Sequence, residues 1–248
     1  VMNGAVSAAI HAIIVYAGWM IALSALLYFL SQHFLLSMPL LTLCGLAIGA
    51  AITRWRANSA WFVLGIVGFL IGVFNIITGS MVNAIFLNAF GIYGTAVITH
   101  AEETNSQLNN QNIWAYDAVM KTADGRDIKI SFDTMSASLY PPRNEINIPP
   151  TGERFVVKYI PGFERNVAIM RDESPYGKRQ LVMKARVPVD RAAAQLTASP
   201  DNEAFKQEYR DALHRFLDSH GEDAPPGLAA HYRDELQALD RKASTQER

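Results

Sequence analysis

The chain has 248 residues, 50% of them hydrophobic, and a formal net charge of −1. From Val1 to Ala101 the only charged residues are Arg54 and Arg56, whereas every other Lys and Arg and all 23 Asp and Glu lie from Glu102 onward. Soluble domains are about a quarter charged, so this division excludes a single soluble domain and a uniformly disordered chain. One cysteine, Cys44, excludes an intrachain disulfide or a cysteine-based zinc site.

The first hundred residues read as membrane helices, each needing about 20 mostly apolar residues. The first span runs from about Ala8 to Leu30 and ends at Ser31-Gln32-His33. It is too long for a signal-peptide core and has no basic residues before it, so it reads as a retained helix. The second runs from about Leu35 to Ile52, with Pro39 near its entrance, where a missing backbone donor is tolerated. Thr53-Arg54-Trp55-Arg56 follows as an interface loop, because arginine snorkels to headgroups and tryptophan favours the boundary. The third span runs from about Ala60 to Thr78. The positive-inside rule then places the Arg54/Arg56 loop and the N-terminus in the cytoplasm, and Ser31–His33 outside.

Gly45-Leu-Ala-Ile-Gly49 and Gly68-Phe-Leu-Ile-Gly72 match the small-xxx-small pattern of close helix contacts, and equally match ordinary glycine content. None of the three expected spans contains Asp, Glu, Lys or Arg. Transport machinery usually retains such residues, so their absence disfavours a transporter. Asn75 and His11, the notable polar residues inside the spans, read as packing or helix-end residues. Met81–Ile98 admits two readings: a fourth span, or a short interfacial helix over about Val82–Phe90 that leads into a strand from Gly91.

From Gly91 to about Val187 the chain reads as β structure. Gly91–Thr99 is rich in β-branched residues, Thr104–Asn112 is a polar loop, and Ile113–Thr122 is a strand. Asp124-Gly125 is a hairpin signal. Arg126–Phe132 and Arg154–Ile160 alternate as half-buried strands do, Pro161-Gly162 is a turn, and Asn166–Met170 and Gln180–Val187 read as short strands. Short strands at this spacing predict a mostly antiparallel β-sandwich or small barrel.

Several of these residues carry a resemblance. They are Phe86-Leu87, Gly91, Gly94, Ala96-Val97, the aromatic strand at Trp114 and Tyr116, Asp124-Gly125, Val156-Val157-Lys158-Tyr159 with Pro161, and Val167-Ala168. Over about residues 86–170 the chain resembles a bacterial membrane-anchored family, domain-of-unknown-function family three-five-nine-two. The resemblance implies a transmembrane helix running directly into a small β domain whose first strand opens at the paired glycines. It supplies no catalytic residues. It favours Gly91 as the start of a strand, hence three spans, a multi-pass protein of the bacterial inner membrane and a periplasmic β domain; four spans would put that domain in the cytoplasm.

The tail, 188–248, predicts a helical hairpin. Ser199-Pro200-Asp201-Asn202 is a helix start, and Phe205, Tyr209, Leu213, Phe216 and Leu217 recur at helical spacing. Gly221 and Pro225-Pro226 interrupt, and Leu228, Tyr232, Leu236 and Leu239 resume the pattern. The end is expected to fray from about Ala243.

No Gly-x-Ser-x-Gly, phosphate-binding glycine loop or His-Glu-x-x-His occurs. His214 with Asp218 reads as a solvated helix pair, and His100 with Glu102 and Glu103 as a strand-end surface cluster. No cofactor or metal is expected. The weakly acidic second part lacks the basic surface that nucleic-acid binding requires. The partners expected are membrane lipids and a protein partner, with homo-oligomerisation left open. Candidate partner-binding residues are Trp114, Tyr116, Tyr140, Phe205, Tyr209, Phe216 and Tyr232. The expected class is a non-enzymatic, membrane-anchored binding or assembly module, one version being an immunity protein against a secreted toxin. The alternative is a transporter or channel subunit.

Overall fold

The computed structural model describes residues 2–108 and 110–246, so Val1, Asn109 of the expected polar loop and the last two residues of the expected frayed end lie outside it. The chain divides into two compact units, Val1–Ser174 and Pro175–Arg248.

The first unit opens with three long apolar helices: α1 (Met2–Gln32), α2 (Phe34–Arg56) and α3 (Val63–Phe90), the last preceded by a 3-10 turn at Ser59–Phe62. Each contains a stretch long and apolar enough to cross a bilayer. The three helices are consistent with a multi-pass membrane protein. Between α2 and the 3-10 turn the chain reverses tightly. Ala57 takes the left-handed conformation with its N–H on the Thr53 carbonyl, and the Asn58 side chain accepts from the Ala60 N–H. Trp55 is exposed at this end, with the Arg56 guanidinium 4.9 Å from its ring centre.

The expected loop at Ser31–His33 is instead a kink. Only His33, at φ −119° and ψ 49°, leaves the helical region. The His33 N–H still bonds the Phe29 carbonyl, and the Ser37 N–H bonds the His33 carbonyl. Partners along α3 show the consequence. On α2, Met38 meets Gly72, Leu41 meets Gly68, Gly45 meets Leu64 and Gly49 meets Trp61 of the 3-10 turn that leads into α3. On α1, the Leu30 carbonyl accepts from Asn75 Nδ2 at 2.8 Å, while Ser24 is linked to Asn83 through Asn166. Thus α1 and α2 follow one another along α3, both antiparallel to it.

Both Gly-x-x-x-Gly motifs are genuine contact sites. A Cβ on Gly45, Gly49, Gly68 or Gly72 would overlap backbone of the facing helix. α3 then continues unbroken to Phe90. The segment expected as a separate interfacial helix is its last turns, and no fourth span exists among the described residues.

Gly91 leads directly into six strands: β1 (Ile92–Leu108), β2 (Gln111–Lys121), β3 (Asp127–Asp133), β4 (Ser138–Tyr140), β5 (Arg154–Ile160) and β6 (Phe163–Met170). They form one sheet in the order β3-β2-β1-β5-β6-β4, antiparallel except for β4 against β6. The expected sandwich or barrel is therefore corrected to a single curled sheet. β3 approaches β6 without backbone pairing, so the sheet does not close into a barrel. At the seam a side chain bridges instead: Arg126 Nη2 donates to Glu164 Oε1 at 2.9 Å. Register places Ala96, Ile98, Ala118, Met120, Ile130, Phe132, Phe155, Val157 and Tyr159 on the inner face, and all are buried. The expected polar loop at Thr104–Asn112 is mostly strand, because β1 runs to Leu108 and β2 begins at Gln111.

The second unit contains the expected hairpin, α5 (Glu203–His220) and α6 (Pro226–Gln246), preceded by a further helix, α4 (Pro175–Ala198). Gln180–Val187, expected as a strand, lies inside α4. Its apolar residues belong to a longer helical series, Val182, Ala185, Val189, Ala192, Ala193 and Leu196, that packs on the α5–α6 core. The start of α5 is set by Asn202, whose side chain accepts from the N–H groups of Ala204 and Phe205. The Ser199 N–H instead helps to close α4 by bonding the Gln195 and Leu196 carbonyls.

Candidate functional site

The expected partner-binding aromatics separate into two groups. Tyr209, Phe216 and Tyr232 are buried in the core of the helical unit, with Phe216 and Tyr232 edge to face at 4.9 Å. They hold α5 and α6 together and are withdrawn as surface residues, because the faces on which they recur meet each other. Phe205 is half-buried at the start of α5. Tyr140 is half-buried and packs on the cluster of Ala84, Phe86, Leu87, Ile160 and Ala168, joining sheet to helix. Tyr116 is half-buried and stacks on Phe132 at 5.5 Å. Trp114 is 40% exposed, and its backbone N–H is held by the Thr134 hydroxyl at 3.0 Å. Of the seven, only Trp114 and Tyr116 adjoin on one strand of the sheet and keep surface.

Beside them lies an open cleft of about 330 Å³ lined by Tyr28, His100, Glu102, Tyr116, Asp117 and Ser131, among others. His100 Nε2 and Glu102 Oε2 stand 3.6 Å apart, both well exposed, and Ser131 donates to Asp117 at 2.7 Å. Among the described residues no group of three metal-ligating side chains converges. His214 and Asp218 are exposed on α5.

The most deeply built polar feature is one that sequence reasoning missed. Asn83 of α3 donates to Ser138 Oγ at 2.8 Å and to Asn166 Oδ1 at 2.7 Å. Asn166 of β6 donates to Asn83 Oδ1 at 2.8 Å, to Ser24 Oγ at 3.0 Å and to the Ser24 carbonyl at 3.1 Å. Ser24, Asn83, Ser138 and Asn166 are all buried. Burial strengthens such bonds and makes a missing partner costly. The network joins α1, α3, β4 and β6. At the end of α3, Lys158 donates to the Asn88 carbonyl at 2.9 Å and side-chain oxygen at 3.0 Å, over the Tyr93 ring. A cation there complements the negative end of the helix dipole. The only signal in the sequence is that Asn83 and Asn166 are amides in apolar or alternating segments.

Two further side-chain groups shape the sheet. Arg126 holds Asp124 and Glu164; the Thr122 hydroxyl, and after it Arg126, keeps the Asp124 carboxyl below its usual range, and Arg126 does the same for Glu164. Arg171, buried, donates to the Pro141 and Glu145 carbonyls, and Arg143 grips Asp172 with two bonds of 2.8 and 2.6 Å. These bonds fix the connection after β4 beside α3. Between the two lies a groove of about 740 Å³, walled by Ile76, Ile77 and Met81 on one side and Leu139, Pro142 and Ile146 on the other.

Compared with known proteins, the chain matches no family model, and no curated protein and no solved structure is significantly similar to it.

Proposed function

We propose that the chain is a non-enzymatic, membrane-anchored binding or assembly module that presents its sheet to a protein partner. The observation that carries this reading is the buried Ser24–Asn83–Ser138–Asn166 network, which ties the sheet to two of the apolar helices. A sheet held this way is a preorganised surface, which lowers the ordering cost of binding. The exposed side chain of Trp114 is its aromatic anchor, the residue type that most often dominates an interface. The apolar helices anchor the chain in the membrane, with Arg54 and Arg56 on the cytoplasmic side and the sheet on the other. The resemblance over residues 86–170 points to a bacterial inner membrane and a periplasmic sheet. An immunity protein that meets an incoming toxin at that surface is one specific version.

A photo-reactive amino acid at Trp114, in the full chain in its own membranes, tests the reading. A discrete protein adduct at Trp114, absent when the same group replaces Trp55, is expected. No adduct at Trp114, together with ion currents in planar bilayers that Asn75→Leu abolishes, would transfer the function to the helices and make the chain a channel or transporter subunit.

A further inference from the structure

We propose, on the reading that the sheet meets a protein partner, that the free edge of β1 at Ala101–Glu103 takes up an extended, basic segment of that partner as a further strand. β1 outruns one of its neighbours. It pairs with β2 from Thr95 to Leu108, but with β5 only from Ile92 to Val97. The Gly152 N–H ends the β5 side with a bond of 2.9 Å to the Ile98 carbonyl.

Past the register shift between Ile98 and His100, Trp114 fixes which way the β1 backbone faces. The Trp114 N–H donates to Thr134 Oγ1 at 3.0 Å, and its carbonyl accepts from the Thr134 N–H at 2.9 Å, both away from β1. Glu103, its partner across the ladder, therefore turns its own N–H and carbonyl away from β2, and Ala101 two residues earlier does the same. Nothing among the described residues bonds those groups. They are donors and acceptors at strand spacing, the set that an added strand pairs with.

Charge selects the strand. On one face of β1, His100 and Glu102 border the open cleft, with Asp117 and Asp133 on the strands behind, and no Lys or Arg lines it. A lysine or arginine of an added strand would lie beside Glu102 and extend toward Asp117. The other face offers the short side chain of Ala101, with Tyr116 and Trp114 one strand in, so apolar residues suit the alternate positions. The same carboxylates disfavour a second copy as occupant. Two β1 edges paired about a two-fold axis here would set Glu102 and Glu103 against their own kind. A charged edge keeps like sheets apart and admits a strand of opposite charge.

The probe is a fluorescent peptide of about six residues alternating lysine and valine, an ordinary strand length, titrated onto the full chain in uncharged detergent. It should bind, and should bind at least about tenfold more weakly once its backbone is N-methylated, which removes its donors and keeps its charge. A peptide alternating glutamate and valine should not bind. Ala101→Pro removes a donor that the ladder does not use, a change that edge positions tolerate, and should weaken the lysine peptide by a similar factor. Glu102→Lys should reverse the preference between the two peptides, and it decides in place of Ala101→Pro should that variant fail to fold. Equal binding of the N-methylated peptide, no binding of the lysine peptide, or unchanged affinity in folded Ala101→Pro overturns the proposal. So does a concentration-dependent dimer that Ala101→Pro abolishes, because the edge would then belong to a second copy. The photo-adduct at Trp114 separates strand addition from the reading beneath it. An adduct that persists in Ala101→Pro overturns strand addition and leaves the sheet as the partner's surface. No adduct in the unmodified chain overturns that reading and strand addition together.

Discussion

Asn166 connects three elements of the first unit, since its one side chain on β6 meets α1 at Ser24 and α3 at Asn83. Asn166→Ala should leave the Asn83 amide and the Ser24 hydroxyl with unmet buried groups, at a cost of about 1–3 kcal/mol for each such group. The expected result is a lower unfolding midpoint of the full chain in detergent, and an unchanged midpoint would remove the network from the account of stability. Charge contributes at the seam. Arg126 keeps Glu164 below its ordinary value of 4.5, so the folded chain holds its proton less tightly there than the unfolded chain does. The resulting stabilisation is present above 4.5 and is lost as pH falls through the lowered folded value. Arg126→Ala should flatten this acid dependence, read as unfolding midpoint against pH; an equally steep acid loss in the variant would assign it to other carboxyls. None of this was legible beforehand. Asn83 and Asn166 are far apart in the chain, and no local pattern marks two amides that meet only when helix and sheet dock.

Elements were more legible wherever a period ran long. The apolar helices declared themselves by length, and the glycine pairs by spacing. Their contact predicts that Gly68→Val, whose side chain would strike the Leu41 carbonyl, separates α2 from α3. Gly18→Ala, with open space around its new methyl, should be silent. Size-exclusion profile and thermal stability in detergent distinguish them, and equal behaviour would mean that the hairpin does not depend on close backbone approach. Short windows misled. Gln180–Val187 contains β-branched residues and reads as a strand in isolation, but its apolar positions extend a helical series to Leu196 that buries one face of α4. Thr104–Asn112 misled in the other sense. Its polar residues lack an alternating apolar face, yet the strands persist there through cross-strand side-chain bonds such as Gln107 to Asn112 at 2.8 Å and Thr104 to the Ile113 carbonyl at 2.7 Å. Of the candidate aromatics, those at helical spacing became core, because an amphipathic stripe is first of all the face by which helices pack.

At the scale of the whole molecule, the proposed orientation determines which side chains a reagent outside the cell can reach. With the Arg54–Arg56 end inside, a single cysteine at Lys129 in the Cys44→Ala background should react with an impermeant thiol reagent in intact cells. Protection that ends on lysis would put the sheet in the cytoplasm and reverse the proposed direction of partner search. The amino-acid order alone was enough for the division into an apolar and a charged part, three apolar helices, a mostly antiparallel sheet and a helical end, because each depends on composition or on a periodicity contained within one segment. Folding in three dimensions decided the rest. It set α1 in line with α2 along α3, left the sheet curled and open at the Arg126–Glu164 seam, buried Tyr209, Phe216 and Tyr232, and placed the groove beside Ile77. These outcomes depend on which distant surfaces fit one another, and such complementarity exists only once the elements are packed.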